Sequence, residues 1–275
     1  MPKRLAMDAL VCTASDGVRC AGRIAGDADE TLLFVHDAGS TAEIWDPQLG
    51  ALSGRFRCAA IELRGNGVMP LPNSLSTITR EGFARDCLAL ADALGVRRIH
   101  LVGCGLGGIV GLELWQSAPH RLASLSLLDS FAAYPDGASV ATRLVDAALA
   151  APSLVTFAEE QTSRLLPPGA SSRRRTESVR QIASMNRRAY ARYIFATLTG
   201  DYRSSLGSIA IPTLVLCGEH DTFVSRALCE ELAAQIPRAL LVEVPDAGHV
   251  CNADAPAFVN AALEAFIASA SNQRS

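Results

Sequence analysis

Three positions in the chain have residue types and settings suited to chemistry: Gly105, Asp221 and His249. Gly105 is the centre of Gly103-Cys-Gly-Leu-Gly-Gly108, which follows the apolar run from Ile99 and opens the apolar stretch Ile109–Trp115. A strand, a sharp corner and a helix, with glycine two residues before and two after the corner, is how a chain lifts a nucleophile clear of its own backbone. The corner residue here is glycine, so the turn is kept and its reactive atom is missing. Asp221 closes Gly218-Glu-His-Asp221 after a buried-strand run, and His249 closes Pro245-Asp-Ala-Gly-His249 after the last such run. The bland reading of His249 is a surface-loop histidine. Both residues, however, fall at the carboxyl ends of strands, where open α/β sheets bind ligands. A carboxylate there would orient the ring and favour its charged form. Such a pair can move protons without any nucleophile.

The corner also admits other readings. Gly103, Gly105 and Gly108 spell a dinucleotide fingerprint, with Asp129 as its acidic residue. That motif normally opens the sheet, whereas this one follows several strands and leaves Asp221 and His249 without a role, so no cofactor is expected. Cys104 could stand in for a missing serine, but Val102 and Leu106 would crowd a corner centred on it. It reads as a small core residue facing away from the site. Glu219 and His220 read as solvated neighbours of Asp221, and His100 and His120 as structural.

These residues must be positioned by a scaffold, and the chain is long enough for one. Its 275 residues are 49% hydrophobic and 19% charged, the balance of a globular chain with a full core. A net charge of −3 gives no general attraction to nucleic acid. Asp8 interrupts any apolar core behind Lys3 and Arg4, and no run approaches the ~20 residues that span a bilayer. The expectation is a cytoplasmic protein with a small-molecule substrate and neither membrane nor nucleic-acid partners. Eight cysteines without a Cys-x-x-Cys pair argue for a reducing compartment and against a zinc site. Leu10–Thr13 and Val18–Ile24 read as a hairpin, and Thr31–His36, Phe56–Leu63, Ile99–Gly103 and Leu122–Leu128 as buried strands. Helical patterns cover Arg80–Leu94 and the stretch after the corner. From Phe131 to Ile209 the alternation stops, and Ala138–Ala150, Pro152–Leu166 and Thr176–Leu198 read as successive helices. It resumes at Thr213–Cys217. The predicted architecture is α/β: a mostly parallel eight-stranded sheet with helices on both faces, residues 1–130 and 210–275 as core and 131–209 as a helical cap.

With nucleophile corner, acid and histidine in that chain order, the sequence resembles the α/β-hydrolases, and within them the 3-oxoadipate enol-lactonases. Trp45-Asp-Pro-Gln48, Arg64-Gly-Asn-Gly67, the glycine corner, Gly218-Glu-His-Asp221 and His249-Val-Cys-Asn252 carry the resemblance, from about Thr31 to Phe266. It implies that His36-Asp37-Ala38-Gly39 forms the oxyanion loop, with the backbone N–H groups of Ala38 and Leu106 facing the oxyanion. Asp37, Glu62 and Asn66 depart from the family pattern. Asp37 either points to solvent or supplies a second acid or base. The reading that follows is an enzyme without a serine nucleophile, in which His249–Asp221 drives proton abstraction, elimination, isomerisation or water-mediated lactone opening, the space at Gly105 holding water or substrate. The alternatives are a lactone or ester hydrolase inactivated by serine-to-glycine replacement at 105, and a non-catalytic small-molecule binder. Between Phe131 and Ile209 ten arginines stand against six acids with no lysine. Most of that is a solvated helix face; Arg187, Arg188 and Arg192 are the candidates for holding a substrate carboxylate.

Overall fold

The computed structural model describes residues 8–272; Lys3 and Arg4 lie outside them. The sheet has eight strands in the order β1-β2-β4-β3-β5-β6-β7-β8, with β1 Asp8–Thr13, β2 Arg19–Ala25, β3 Thr31–Val35, β4 Arg57–Glu62, β5 Ile99–Cys104, β6 Leu122–Leu128, β7 Thr213–Gly218 and β8 Ala239–Val244. β1 and β2 form the expected antiparallel hairpin, and β2 pairs antiparallel with β4. Every pairing from β4 to β8 is parallel. β3, β5, β6 and β7 are buried along their whole length, which is why they read as unbroken apolar runs rather than alternating ones.

Helices cover both faces. α1 (Asp46–Leu52) lies on one face with the C-terminal helix Pro256–Asn272, where Leu49, Leu52, Val259 and Leu263 join one apolar cluster. α2 (Arg80–Ala93) and α3 (Leu106–Ser117) lie on the other, where Phe83, Leu90, Ile109 and Leu112 join a second. β5 shows the division: Leu101 faces the α3 side, while Val102 and Cys104 face away from it. The catalytic-cysteine reading of Cys104 therefore fails on direction, and burial pushes its thiol well above the usual range.

Between β6 and β7 the chain is helical: α4 (Gly137–Ala150), α5 (Leu154–Leu165), α6 (Ser172–Ser184), α7 (Arg187–Leu198) and the short α8 (Arg203–Leu206). The sequence pattern predicts one helix over Thr176–Leu198; the structure breaks it at Met185-Asn186. Asn186 takes an extended backbone and its side-chain oxygen accepts the N–H groups of Arg188 and Ala189. That is how a short polar side chain satisfies the first orphan donors of a helix. The segment shares the sheet's core, since Phe131, Ala141, Phe157 and Tyr193 belong to the same cluster as Leu101 and Leu125. No helix among the described residues is long and apolar enough to cross a membrane.

Candidate active site

β5 delivers the chain to Gly105, whose backbone lies at φ 51°, ψ −112°. This left-handed region is costly for any residue with a side chain. Gly105 N–H donates to Leu128 O at 2.9 Å, and the Gly105 carbonyl receives the N–H groups of Gly108 and Ile109 as α3 begins. The corner is the predicted one. Its glycine has a second reason: a Cβ at Gly105 would overlap Asp37 Oδ1 and lie 2.5 Å from Asp37 Cγ.

Asp37 does not point to solvent. It is 5% exposed, and its Oδ1 accepts the Leu106 N–H at 2.8 Å. The Leu106 donor expected to face an oxyanion is thus engaged by a carboxylate, and the space expected to be open above Gly105 is filled by it. The other oxygen, Oδ2, lies 3.4 Å from His249 Nε2. On the far side of the ring, His249 Nδ1–H donates to Asp221 Oδ2 at 2.8 Å. Asp221 Oδ1 accepts the N–H groups of Phe223 and Val224 at 2.8 and 2.9 Å. The result is a buried row of carboxylate, imidazole and carboxylate. Burial alone would lower the His249 pKa. The charge and hydrogen bond of Asp221, then those of Asp37, outweigh it and hold the ring well above its ordinary value, so the imidazolium is favoured.

Residues behind the row fix it. His36 Nδ1–H donates to Asp37 O at 2.9 Å, and His36 Nε2 accepts the Leu63 N–H, which sets the tautomer. Glu62 Oε2 accepts the Ala42 N–H, and Asn66 Nδ2 donates to Ser40 O. The three departures from the family pattern, Asp37, Glu62 and Asn66, therefore meet at one loop. On the histidine side, Asp129 accepts from Gly218 N–H at 2.8 Å and Cys251 N–H at 3.0 Å, tying together the two loops that carry Asp221 and His249. Burial, then the charge of Asp221, pushes the Asp129 carboxyl up to about 7. In the sequence Asp129 stands out only through the glycine fingerprint; the signal for its place here is its position directly after β6. The helical segment also contributes: His249 N–H donates to Leu165 O, and Arg174 pairs at 2.8 Å with Asp254, which accepts the Gly248 N–H.

A cavity of about 1080 Å³ opens above the row. Asp37, Ala38, Asp221 and His249 line it, whereas Gly105, Leu106 and His36 do not, so its floor is Asp37 rather than Gly105. Of the arginines proposed to hold a substrate carboxylate, none reaches it. Arg187 donates to Leu149 O and Ala151 O, Arg192 donates to Leu75 O, and Arg188 is exposed. The side chains that do reach it are Arg143, Arg164 and Arg175, from three different helices. Helix periodicity cannot say which face of an amphipathic segment turns to a cavity, so the sequence points to arginines that do not line this one. At the rim, Glu219, His220 and Asp246 bring three ligand atoms within 4.8 Å of one another, but both carboxylates are solvent-exposed and Glu219 already accepts the Asp246 N–H.

The model of the alpha/beta hydrolase family matches residues 32–262. The chain belongs to that family. As an alpha/beta hydrolase it is 32% identical over 257 residues to a carbamate hydrolase RutD of Variovorax paradoxus, covering 88% of this chain and 94% of that one. It is 26% identical over 227 residues to 3-oxoadipate enol-lactonase 1 of Acinetobacter baylyi, covering 82% and 84%. Among solved structures, a hydrolase from Pseudomonas aeruginosa superposes with a TM-score of 0.84 at 32% identity, covering 97% and 99% of the two chains. The enol-lactonase of Burkholderia xenovorans superposes at 0.86 with 24% identity, covering 94% and 100%. That last likeness speaks to the fold alone.

Proposed function

We propose that this alpha/beta hydrolase works without an elbow nucleophile, moving protons between Asp37, His249 and a small carbonyl-bearing substrate in the cavity. The observation that carries the reading is the Asp37 carboxylate, set where a side chain at residue 105 would stand and facing His249. With His249 held as imidazolium, the division of labour differs from the expected histidine base. Asp37 is the group able to take a proton, and His249, oriented by Asp221, is the group able to give one. In a water-mediated lactone opening, a water gives its proton to Asp37 Oδ2 as its oxygen bonds to the carbonyl carbon. His249 Nε2–H protonates the leaving oxygen as the ring bond breaks, and the proton then passes from Asp37 back to His249. In an isomerisation, Asp37 takes the proton from the carbon next to the carbonyl and His249 protonates the enolate. Relatives named carbamate hydrolase and enol-lactonase support the hydrolytic branch. Arg143 and Arg175 support an anionic substrate, whereas Arg164 is paired at 2.6 Å with Glu160, which lines the same cavity.

The Asp37 overlap weighs against a hydrolase that has lost only its serine, because a serine at 105 would not fit beside this carboxylate. A purely binding role is disfavoured by the buried charged row, whose desolvation serves no packing purpose. The test is a panel of lactones, esters, carbamates and enolisable ketones assayed with wild type, Asp37→Asn and His249→Ala. Each substitution should lower turnover of the accepted substrate by roughly 10²–10⁴-fold. Turnover that survives both substitutions, or that wild type shows for no member of the panel, rejects the reading.

A further inference from the structure

The chain contains four tyrosines, and three have their hydroxyls accounted for. Tyr134 donates to Phe223 O at 3.0 Å, Tyr193 to Arg64 O at 3.1 Å and Tyr202 to Glu113 Oε2 at 2.8 Å. The fourth, Tyr190, is 5% exposed; its hydroxyl makes no hydrogen bond among the described residues, and its oxygen is not one of the fully buried unpaired atoms, so it keeps access to the cavity. A phenol oxygen that opens onto a cavity and bonds no protein group is free to donate to whatever fills that cavity. Tyr190 lines the same cavity as Asp37 and His249. Its ring stands edge-on to Phe157, with centroids 5.4 Å apart at 74°. A Cβ on Gly39 would come 3.7 Å from Tyr190 Cε2, the ring carbon next to the one bearing the hydroxyl. The polar end of the ring therefore reaches down to the oxyanion loop. Burial, then the charge of Asp37, raises its pKa, so it remains a donor over the physiological range.

These placements meet a need created at the other side of the site. Leu106 N–H, one of the donors that a family member would aim at a substrate oxygen, is held by Asp37. We propose that the Tyr190 hydroxyl is the donor to the substrate's carbonyl oxygen, taking the place of the Leu106 N–H that Asp37 occupies. This rests on the reading of the cavity as the active site, and deepens it by assigning the group that polarises the substrate. Asp37 and Tyr190 then act as one exchange: the carboxylate enters the former oxyanion position and the phenol, carried by α7, supplies a replacement donor from above.

Tyr190→Phe tests this, since it keeps the ring against Phe157 and Gly39 and deletes only the oxygen. The probes are acetophenone and its carbonyl-free analogue α-methylstyrene, titrated into wild type and variant by ligand-observed NMR. Binding needs no turnover, so the outcome is independent of whether the proton-transfer chemistry is correct. Tyr190→Phe should weaken acetophenone roughly two- to ten-fold, the loss of one neutral hydrogen bond, and leave α-methylstyrene unchanged. Equal weakening of both probes would assign Tyr190 to packing and overturn the proposal. So would unchanged acetophenone affinity, or no acetophenone binding to wild type. If a substrate emerges from the panel, the same variant should lower kcat with KM little altered, since a donor to a developing oxyanion acts most strongly in the transition state.

Discussion

The two ends of the Asp37–His249–Asp221 row are held by different means. Asp221 is fixed by its own neighbourhood: it accepts the N–H groups two and three residues on, and its remaining oxygen meets His249 at 2.8 Å. Asp37 is fixed from a distance, by Leu106 at the start of α3 and by a loop braced through His36, Glu62 and Asn66. Its contact with His249 is longer, 3.4 Å. The histidine end keeps the family's arrangement, and the corner end has been rebuilt around a carboxylate. In the proposed function the acid and the histidine are kept and a carboxylate base stands where a side chain at residue 105 would project, which requires a corner without a side chain.

The comparison is most directly broken at Gly105. Gly105→Ser should cost about 2–5 kcal/mol, combining a strained backbone with overlap against Asp37, and show as a lowered melting temperature. It should gain little hydrolysis of p-nitrophenyl acetate. Gly105→Ser with Asp37→Gly should recover the part of the stability lost to overlap, though not the backbone strain, and gain that activity, because Leu106 N–H is released for an oxyanion. Strong ester hydrolysis from the single change would mean that Asp37 swings aside easily and that the corner end is not rebuilt.

Stability against pH sharpens the contrast. The folded pKa of His249 lies above its unfolded value, so its stabilisation is fully present below about pH 6.5 and is lost as pH rises through the folded value. Asp129, raised to about 7 from 3.8, loses its contribution earlier, as pH climbs through about 7. Melting temperatures across the range should therefore fall in two stages. His249→Gln should remove the loss that begins near pH 6.5, leaving the later loss from buried thiols such as Cys104, and Asp129→Asn the earlier one. An unchanged slope just above pH 6.5 in His249→Gln would show that the two carboxylates do not hold the ring charged.

The smallest effects separate arginines that brace the histidine loop from those that do not. Arg174→Ala leaves the buried Asp254 without its partner and should destabilise by roughly 1.5–3 kcal/mol in urea denaturation. Arg188→Ala, at an exposed position, should change stability by no more than about 0.5 kcal/mol. Equal effects would remove Arg174 from the support of His249.

Local signals settled much of this protein. Unbroken apolar runs mark strands buried on both faces, glycines two before and two after residue 105 mark a corner where a Cβ has no room, and Asp221 and His249 each sit at a strand end. Those features depend on neighbours in the chain, so they are written in consecutive residues. The tertiary structure decided the rest. Asp37 lies within a single loop phrase, yet its partners are Leu106 and His249, and nothing in the spacing says whether its carboxylate turns inward. The break at Asn186 and the choice of Arg143, Arg164 and Arg175 over Arg187, Arg188 and Arg192 depend on how α4 to α7 rotate when they pack on the sheet. Tyr190 carried no motif at all; its unpaired hydroxyl exists only because α7 lays that ring over the oxyanion loop. Contacts between residues far apart in sequence are fixed by packing, and single-chain periodicity holds no record of them.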